Sequence, residues 1–263
     1  MASLEAKELF FSYKGKTVLE NISFTVNNGE TWAVIGRNGV GKSTLLKCLC
    51  ALLKPSSGNI CIDNISISKL SPREIAKIIA YVPQGSAIAP PPFTVREYVM
   101  LSRFPYRTFA ALLSKNDKIL VDEALSLTGI EHLSDRMMDT LSGGEFQAAL
   151  LCGAAAQGTP FLLLDEPTTY LDPCHQENVR IVIERIRARG DTSVITVTHD
   201  VNFALSCHDN ILALVNGKVE FCGKKELFCI DAQQCLSKIF SVKFGAASLC
   251  DEKMFYFTQG SAL

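Results

Sequence analysis

The sequence predicts an α/β fold in which a parallel sheet is interrupted by an inserted helical segment. Two continuous apolar runs, PFLLLDE at 160–166 and TSVITVTHD at 192–200, are typical of parallel strands covered on both faces. The chain also begins with short segments rich in β-branched and aromatic residues, ELFFSY, ISFTV and TWAVIG, which turn residues separate. Between these regions, at about 85–158, helical patterns predominate.

Local spacing and turn residues predict the remaining elements. The stretch 59–68 alternates apolar and polar residues, which predicts a pair of half-buried strands. The stretch 211–223 predicts a hairpin that turns at Asn216 and Gly217. Helices are predicted at 42–53, 72–79, 94–101, 115–128 and 172–189. The pattern of about 224–263 predicts no definite element.

Composition limits the classes of protein that fit. The chain has 263 residues, with 26 Lys and Arg against 27 Asp and Glu, and a net charge of −1. This balance gives no electrostatic reason to expect a nucleic-acid partner. No apolar stretch approaches the roughly 20 residues that span a bilayer, and the first residues do not resemble a signal peptide. The ten cysteines show no C-x-x-C spacing, which favours reduced thiols in a cytosol.

Residues 36–43, GRNGVGKS, fit the phosphate-binding pattern G-x-x-x-x-G-K-[ST]. They follow the strand TWAVI and open a predicted helix, which is the context that this loop requires. The glycines let backbone N–H groups surround a phosphate, and the helix N-terminus adds positive potential. Lys42 is expected to contact the β- and γ-phosphates, and Ser43 to bind Mg²⁺. Alone, this P-loop predicts a nucleoside triphosphatase or a kinase.

An acidic pair, Asp165 and Glu166, follows a buried strand. Ligands of open parallel sheets bind at the carboxyl ends of the strands. Asp165 is therefore a candidate Mg²⁺ ligand, and Glu166 a candidate general base for the attacking water. Acidic residues at strand ends are common, so the pair alone is weak evidence for a site. It is stronger evidence here because a P-loop occurs in the same chain.

The pentapeptide LSGGE at 141–145 stands before another predicted helix. Ser142 is a good N-cap, and Gly143 and Gly144 let backbone N–H groups approach an anion closely. One chain cannot easily turn this second anion-binding helix start onto its own P-loop phosphate. Two chains placed head to tail can, which predicts a second copy as a partner. The alternative is an ordinary capped helix.

With LSGGE between the P-loop and LLLDEPTTYLD, the chain resembles the ABC ATPases from about residue 7 to 228. The resemblance implies that Tyr13 stacks on adenine and that Gln84 touches Mg²⁺ and water and senses a permease. It also implies that Asp172 lies at the dimer interface and that His199 contacts the γ-phosphate. One departure is Ala148, where many members have an arginine. This loss affects the helix that follows LSGGE, the family's signature, and not the phosphate contacts.

The resemblance implies a RecA-like parallel sheet with an N-terminal antiparallel β subdomain and an inserted α-helical signature subdomain. A single ABC ATP-binding domain is expected over 1–263. Residues 1–84 and 159–228 would form its core with the β subdomain, about 85–158 the helical subdomain, and 229–263 a C-terminal extension.

The expected site residues fall into three sets. Catalytic roles are expected for Lys42, Gln84, Glu166 and His199. Binding of ATP is expected to involve Tyr13, Gly36, Asn38, Gly39, Gly41, Lys42, Ser43, Thr44, Ser142, Gly143, Gly144 and Asp172. Binding of Mg²⁺ is expected to involve Ser43, Gln84 and Asp165.

The segments SPREIAKIIAYVPQ, TVREYVMLSRFPY and DEPTTYLDPCHQ resemble ATP-binding subunits of importers for iron-siderophores, haem and vitamin B12. The resemblance implies an ATP hydrolase on the cytoplasmic face of the cell membrane. Its partners would be integral membrane permease subunits and, indirectly, a substrate-binding protein. The segment 84–107 would dock the permease. His132, His175 and His208 match no motif and are interpreted as ordinary histidines.

Three alternatives stay open from the residues alone. The chain could serve a transporter for another cargo, as an importer or an exporter subunit. It could be a soluble ABC ATPase outside transport, although it has one cassette and no long heptad run. It could bind nucleotide only as a structural ligand, but Glu166 and His199 argue against that reading.

Overall fold

A computed structural model describes residues 2–84, 89–107, 114–248 and 254–259. The strands are β1 (Ser3–Tyr13), β2 (Lys16–Asn27), β3 (Thr31–Ile35), β4 (Ser57–Ile62), β5 (Ile65–Ser66), β6 (Ile79–Val82), β7 (Phe161–Asp165), β8 (Ser193–Thr198), β9 (Asn210–Val215), β10 (Lys218–Lys224), β11 (Phe244–Ser248) and β12 (Met254–Thr258). The helices are α1 (Lys42–Leu49), α2 (Pro72–Ala76), α3 (Val95–Leu101), α4 (Lys115–Thr128), α5 (Gly143–Gln157), α6 (Pro173–Arg189), α7 (Val201–Cys207), α8 (Lys225–Ile230) and α9 (Ala232–Phe240).

A mostly parallel sheet, with strand order β10-β9-β3-β8-β7-β6, positions the candidate site. Strand β8 pairs in parallel with both β3 and β7, and only β10 runs antiparallel to its neighbour. Ile35 at the end of β3 pairs with Thr198, and Asp165 at the end of β7 pairs with Val197. The residues that follow these three strands therefore meet at one edge of the sheet.

An antiparallel sheet, with order β2-β1-β4-β5, covers one face of the parallel sheet together with α1. Alternate residues of β1 and β2, such as Leu9 and Ile22, are fully buried because each strand turns one face to this shared core. A second core joins α3, α4, α5 and α6 to the other side of the sheet. The central strands β7 and β8 are buried along their whole length, as their continuous apolar runs predict.

Most of the predicted elements are confirmed. Helix α4 has the predicted bounds, and α3 and α6 begin one residue after the N-caps Thr94 and Asp172. The hairpin of β9 and β10 turns at Asn216 and Gly217, both with positive φ, as a two-residue turn of this type requires. The strand pair predicted at 59–68 is β4 and β5.

Two helix predictions are wrong at their ends. Helix α1 stops at Leu49, well before the predicted residue 53, because Ala51 adopts a left-handed conformation with φ 58°. Helix α2 stops at Ala76, and Ile79, the last residue of the predicted helix, is the first residue of β6. Strand β6 forms there because its apolar residues complete the edge of the parallel sheet beside β7.

The C-terminal segment has structure that the sequence pattern did not predict. Helices α8 and α9 pack on the parallel sheet through Phe228 and Leu236, which are fully buried. Strands β11 and β12 pair antiparallel, and Tyr256 of β12 contributes to the same core. Arg37 of the P-loop donates a hydrogen bond to Ser241, just after α9, at 3.2 Å. This segment thus touches the loop that precedes α1.

The division of the chain at about residues 84, 158 and 228 stays a prediction. Residues 85–88, at the first of these boundaries, lie outside the described residues, as does Cys250. In the part of the chain that is described, no helix is long and apolar enough to span a bilayer.

Candidate active site

The P-loop joins β3 to α1, and two of its glycines lie where a side chain would not fit. A Cβ on Gly36 would be 2.6 Å from the carbonyl oxygen of Leu214, and a Cβ on Gly41 would be 2.7 Å from a methyl group of Leu19. Both residues have positive φ, which L-residues rarely adopt. Gly39, at the tip, faces open space. The loop is therefore pressed against the core at its ends and open at its tip.

Lys42 is only 4% exposed, although it begins a helix at the surface. Its Nζ donates to the carbonyl oxygens of Gly36, at 2.8 Å, and Arg37, at 3.0 Å. Burial lowers the pKa of Lys42, while the nearby carboxylates of Glu166 and Asp165 oppose that shift. The ammonium group is thus fixed inside the curve of the P-loop, where a bound phosphate would lie.

Both carboxylate oxygens of Asp165 accept hydrogen bonds. Ser43 donates to Oδ1 at 2.8 Å, and the Tyr81 hydroxyl donates to Oδ2 at 3.1 Å. Asp165 is 5% exposed. Tyr81 lies on β6, the strand next to β7, and burial together with Asp165 raises its pKa, so it remains a hydrogen-bond donor. The carboxylate is therefore held in one orientation toward the P-loop.

Glu166 is aimed by an uncommon backbone conformation, with φ 48°. Its N–H donates to the carbonyl oxygen of Val197 at 2.9 Å, which ties the residue to β8. Its Oε2 accepts a hydrogen bond from the Thr169 hydroxyl at 3.0 Å and lies 3.6 Å from Nδ1 of His199. The sheet thus places the candidate base Glu166 and His199 side by side.

A cavity of about 490 Å³ brings most of the expected residues together. Its lining includes Tyr13, Asn38, Gly39, Gly41, Lys42, Ser43, Thr44, Gln84, Glu166 and Tyr170. Tyr13 is 48% exposed and makes an edge-to-face contact with Phe11, with ring centroids 4.7 Å apart. This contact leaves part of the tyrosine ring available to a ligand.

The signature residues lie elsewhere. Ser142 caps α5 in a capping box: its backbone N–H donates to Glu145 at 2.8 Å, and its hydroxyl accepts from the Glu145 N–H at 3.3 Å. Arg136 also pairs with Glu145, at 3.0 Å, and these hydrogen bonds lower the pKa of Glu145, with Ser142 the larger cause. In the described part of the chain, none of Ser142, Gly143, Gly144 and Asp172 lines the cavity that contains the P-loop.

Three contacts of this site were not expected from the sequence. Tyr81 holds Asp165, Thr169 holds Glu166, and Arg136 supports the capping box of α5. Tyr81 could have been found, since it is the one polar residue of a short apolar strand just before Gln84. No pattern in the sequence marks Thr169 or Arg136, because their partners are distant or depend on the path of a loop.

His208, interpreted as ordinary, is a core residue. Its Nε2 lies 2.8 Å from the hydroxyl of Thr196 on β8, and its Nδ1 lies 3.2 Å from the carbonyl oxygen of Ala204. Burial lowers its pKa from 6.5 to about 4. The ring is therefore neutral at physiological pH and holds α7 against the sheet.

The donor set fits a magnesium ion that is shared with a phosphate. The Ser43 hydroxyl and the Asp165 carboxylate, at hydrogen-bond distance, are oxygen ligands of the kind that Mg²⁺ prefers, and Gln84 lines the same cavity. Among the described residues, no group of three or more His, Cys, Asp and Glu could form a cage of protein ligands. Mg²⁺ usually needs no such cage, because it binds one or two protein oxygens together with substrate phosphates.

Known proteins share this fold and sequence. The profile of the family described as ABC transporter matches residues 19–169. The petrobactin import ATP-binding protein FpuD of Bacillus anthracis is 38% identical over 224 residues, which cover 85% of this chain and 82% of the relative.

Two solved structures are similar as well. One is an inward-facing ABC transporter assigned to the metal-chelate type, with 26% identity and a TM-score of 0.81 over 97% of this chain and 96% of that one. The other is a dimeric ATP-binding cassette in a post-hydrolysis state with ADP and phosphate, with 28% identity and a TM-score of 0.74 over 84% of this chain and 98% of that one.

These matches confirm the predicted fold class and the predicted family. The matched profile covers more than half of the chain, from β2 through the P-loop, the signature and the acidic pair. The chain belongs to the ABC transporter family, as one of its ATP-binding and ATP-hydrolysing subunits.

Proposed function

We propose that two copies of this chain pair head to tail and energise an importer of iron chelates. In such a pair, each ATP lies between the P-loop of one copy and Ser142–Gly144 of the other. The main support is the cavity at the P-loop, which groups Lys42, Ser43 and Glu166 but not the signature residues. A partner chain would bring the missing helix start to the phosphate, and a helix N-terminus binds anions well.

Each copy would hold the nucleotide from base to phosphate. The exposed face of Tyr13 stacks on adenine, and N–H groups of the P-loop and of the first turn of α1 point to the phosphates. Lys42 has the carbonyl oxygens of Gly36 and Arg37 as its neighbours, so it is already placed for the β- and γ-phosphates. Asn38, Gly39, Gly41 and Thr44 line the same cavity.

Ser43, Asp165 and Gln84 would hold Mg²⁺ against the phosphate oxygens. When bound, this ion neutralises negative charge on the phosphates during their transfer. The two hydrogen bonds to Asp165 keep its carboxylate oriented, so less reorganisation is needed when a nucleotide arrives.

Hydrolysis would proceed by in-line attack of a water oxygen on the γ-phosphorus. Glu166 accepts the proton of the water, and the bond from the γ-phosphorus to its bridging oxygen breaks. Thr169 and His199, which both lie beside Oε2 of Glu166, orient the carboxylate and the γ-phosphate. Lys42 stabilises the charge that develops. General-base catalysis of this type contributes about 10²- to 10⁴-fold.

The segment 84–107 is the proposed contact with the permease, at the cytoplasmic face of the membrane. Within its described part, Phe93, Leu101 and Phe104 are exposed, and Phe104 is exposed by 65%. Phe93 and Leu101 also line a shallow depression of about 220 Å³ with Met100. Exposed apolar side chains of this kind are typical of protein interfaces. A substrate-binding protein would act indirectly, through the permease.

The proposed cargo is an iron chelate, of the siderophore, haem or cobalamin type. The support is the 38% identity to a petrobactin import subunit and the likeness to a transporter of the metal-chelate type. The cargo would not touch this chain, so these similarities are the reason for the proposal.

The test of pairing and catalysis uses Glu166→Gln with Glu123→Gln, an exposed residue of α4, as the control. We expect the first variant to retain Mg·ATP, lose at least about 100-fold in turnover and form a dimer that light scattering detects. The control should turn over ATP like the wild type. A Glu166→Gln variant with normal turnover would disprove the base role, and one that stays a single copy with Mg·ATP would disprove the pairing.

The test of cargo uses the complex of this chain with the membrane permease that copurifies with it, reconstituted in liposomes with a substrate-binding protein. We expect ATP turnover to rise when the binding protein carries a ferric siderophore, haem or cobalamin. Stimulation by a substrate without a chelated metal, and by none of these chelates, would contradict the proposed cargo class.

A further inference from the structure

His175, read from the sequence as an ordinary histidine, holds both oxygens of the Asp172 carboxylate. Its backbone N–H donates to Oδ1 at 2.9 Å, and its ring Nδ1 lies 2.9 Å from Oδ2. An ionised carboxylate only accepts hydrogen bonds, so Nδ1 carries the proton in this contact. The backbone bond, and then the ring bond, lower the pKa of Asp172. One residue therefore fixes the orientation of the whole carboxylate.

The other side of the His175 ring packs on the first turn of α5. A Cβ built on Gly144 would be 2.0 Å from Cδ2 and 2.2 Å from Cγ of the ring. Any side chain at Gly144 would therefore collide with the imidazole. The ring lies directly on the backbone of the signature helix, and only a glycine permits this approach.

The next residue, Gln176, secures the loop that leads to Asp172. Its Nε2 donates to the carbonyl oxygen of Leu171 at 3.1 Å and to that of Thr168 at 3.4 Å. The first turn of α6 is thus hydrogen-bonded to the loop after Glu166 and also contacts the signature helix α5. The loop and α5 are far apart in sequence, and His175 is a direct bridge between them.

We propose that His175 is a positioning residue that keeps Asp172 and the start of α5 in one fixed arrangement, so that both reach the partner's nucleotide together. The inference rests on the proposed head-to-tail pairing. It extends that function, because a contact inside one copy would set the geometry that this copy presents to the other. The ring does this through two contacts, of which the Nδ1–H bond to Asp172 has the larger effect on turnover and the contact with Gly144 the smaller.

The first experiment measures the bridge without nucleotide. Amide hydrogen exchange is followed in peptides that cover 141–147 and 167–173, in the wild type, His175→Ala and Glu177→Ala. Glu177 lies in the same turn of α6, where it pairs with Arg180, so its variant is the matched control. We expect exchange in both peptides to become about fivefold faster in His175→Ala and to be unchanged in Glu177→Ala. A change in one peptide alone, or in neither, would overturn the bridge.

The second experiment separates the two functions of the ring by kinetics. His175→Asn keeps an N–H group for Asp172, and His175→Phe keeps a ring on Gly144. We expect His175→Ala and His175→Phe to lower kcat about 10-fold without changing the affinity of single copies for ATP, since the P-loop is intact. His175→Asn should recover kcat to within about threefold of the wild type.

These outcomes distinguish the two proposals. Full turnover in His175→Ala, or in His175→Phe, would overturn the positioning role. If Glu166→Gln failed to pair with Mg·ATP, the proposed function would fail, while the exchange experiment would still decide whether His175 bridges the loop and α5.

Discussion

The polar groups of the P-loop region and of the signature region find their hydrogen-bond partners in opposite ways. At the P-loop, Lys42 and Asp165 are almost completely buried, and their polar atoms are held by neighbours from other elements. At the signature, Ser142 is at the surface and satisfies the start of its helix with its own capping box. In the first region, the charged side chains are already removed from water. In the second, the capping box leaves few polar groups unsatisfied while the helix start is exposed, as the proposed pairing requires.

The largest expected effect comes from a substitution in the buried P-loop region. In Lys42→Ala, the P-loop loses its only ammonium group, and we expect single copies to bind ATP about 100-fold more weakly. A fluorescent nucleotide titration checks this result. Lys47→Ala, at the other end of α1, is the control and should bind like the wild type. Equal affinity in both variants would show that Lys42 does not contact phosphate.

A smaller effect is expected from a substitution in the exposed signature region. Ser142→Ala should lower turnover about 10-fold and leave the ATP affinity of single copies unchanged, because its hydroxyl would contact the nucleotide of the other copy. Ser71→Ala removes an equivalent capping box from α2. Thermal unfolding should show a similar loss of about 1 kcal/mol in both variants, with only Ser142→Ala impaired in turnover. Equal turnover would mean that Ser142 acts as a cap alone.

Tyr81→Phe tests whether the Tyr81 hydroxyl orients the buried carboxylate of Asp165. It removes one hydrogen bond from Asp165 and leaves the packing nearly unchanged, so we expect the Mg²⁺ concentration for half-maximal nucleotide binding to rise about fivefold. The control is Tyr98→Phe in α3, a partly buried tyrosine that packs against the helical core. A Mg²⁺ dependence like that of the control would indicate that the tyrosine does not orient the carboxylate.

The smallest effect at neutral pH concerns His208, which supports β8 from behind. Its pKa falls from 6.5 to about 4 on burial, so the unfolded chain binds more protons between these values. Its contribution to stability is complete above pH 6.5 and is lost as the pH falls toward 4, by at most about 1.4 kcal/mol per pH unit. NMR titration of the ring checks the shift. A midpoint near 6.5 would contradict the burial.

The sequence predicted the features that depend on neighbours along the chain. The P-loop, the cap Ser142 and the turn at Asn216 and Gly217 all follow from short patterns with a local physical cause. Strand β6 was missed because its residues also suit a helix, and only pairing with β7 decides between them.

Contacts between distant segments could not be predicted in the same way. The hydrogen bond from Tyr81 to Asp165 joins residues 84 positions apart. The contact of His175 with Gly144 needs the exact path of two helices, which no local spacing encodes. Helix α9 is a different case, because its buried residues Ala232, Leu236 and Ile239 follow helical spacing, so a local signal for it is present in the sequence.

The left-handed backbone of Glu166 has a consequence for protein engineering. A glutamate in this conformation is disfavoured by roughly 1–2 kcal/mol, whereas glycine adopts it freely and asparagine more readily. A library of variants selected only for thermal stability should therefore enrich glycine or asparagine at this position. The selected variants would be more stable but would no longer hydrolyse ATP. Stability and turnover compete at a single torsion angle, so a screen for robust variants has to measure turnover as well.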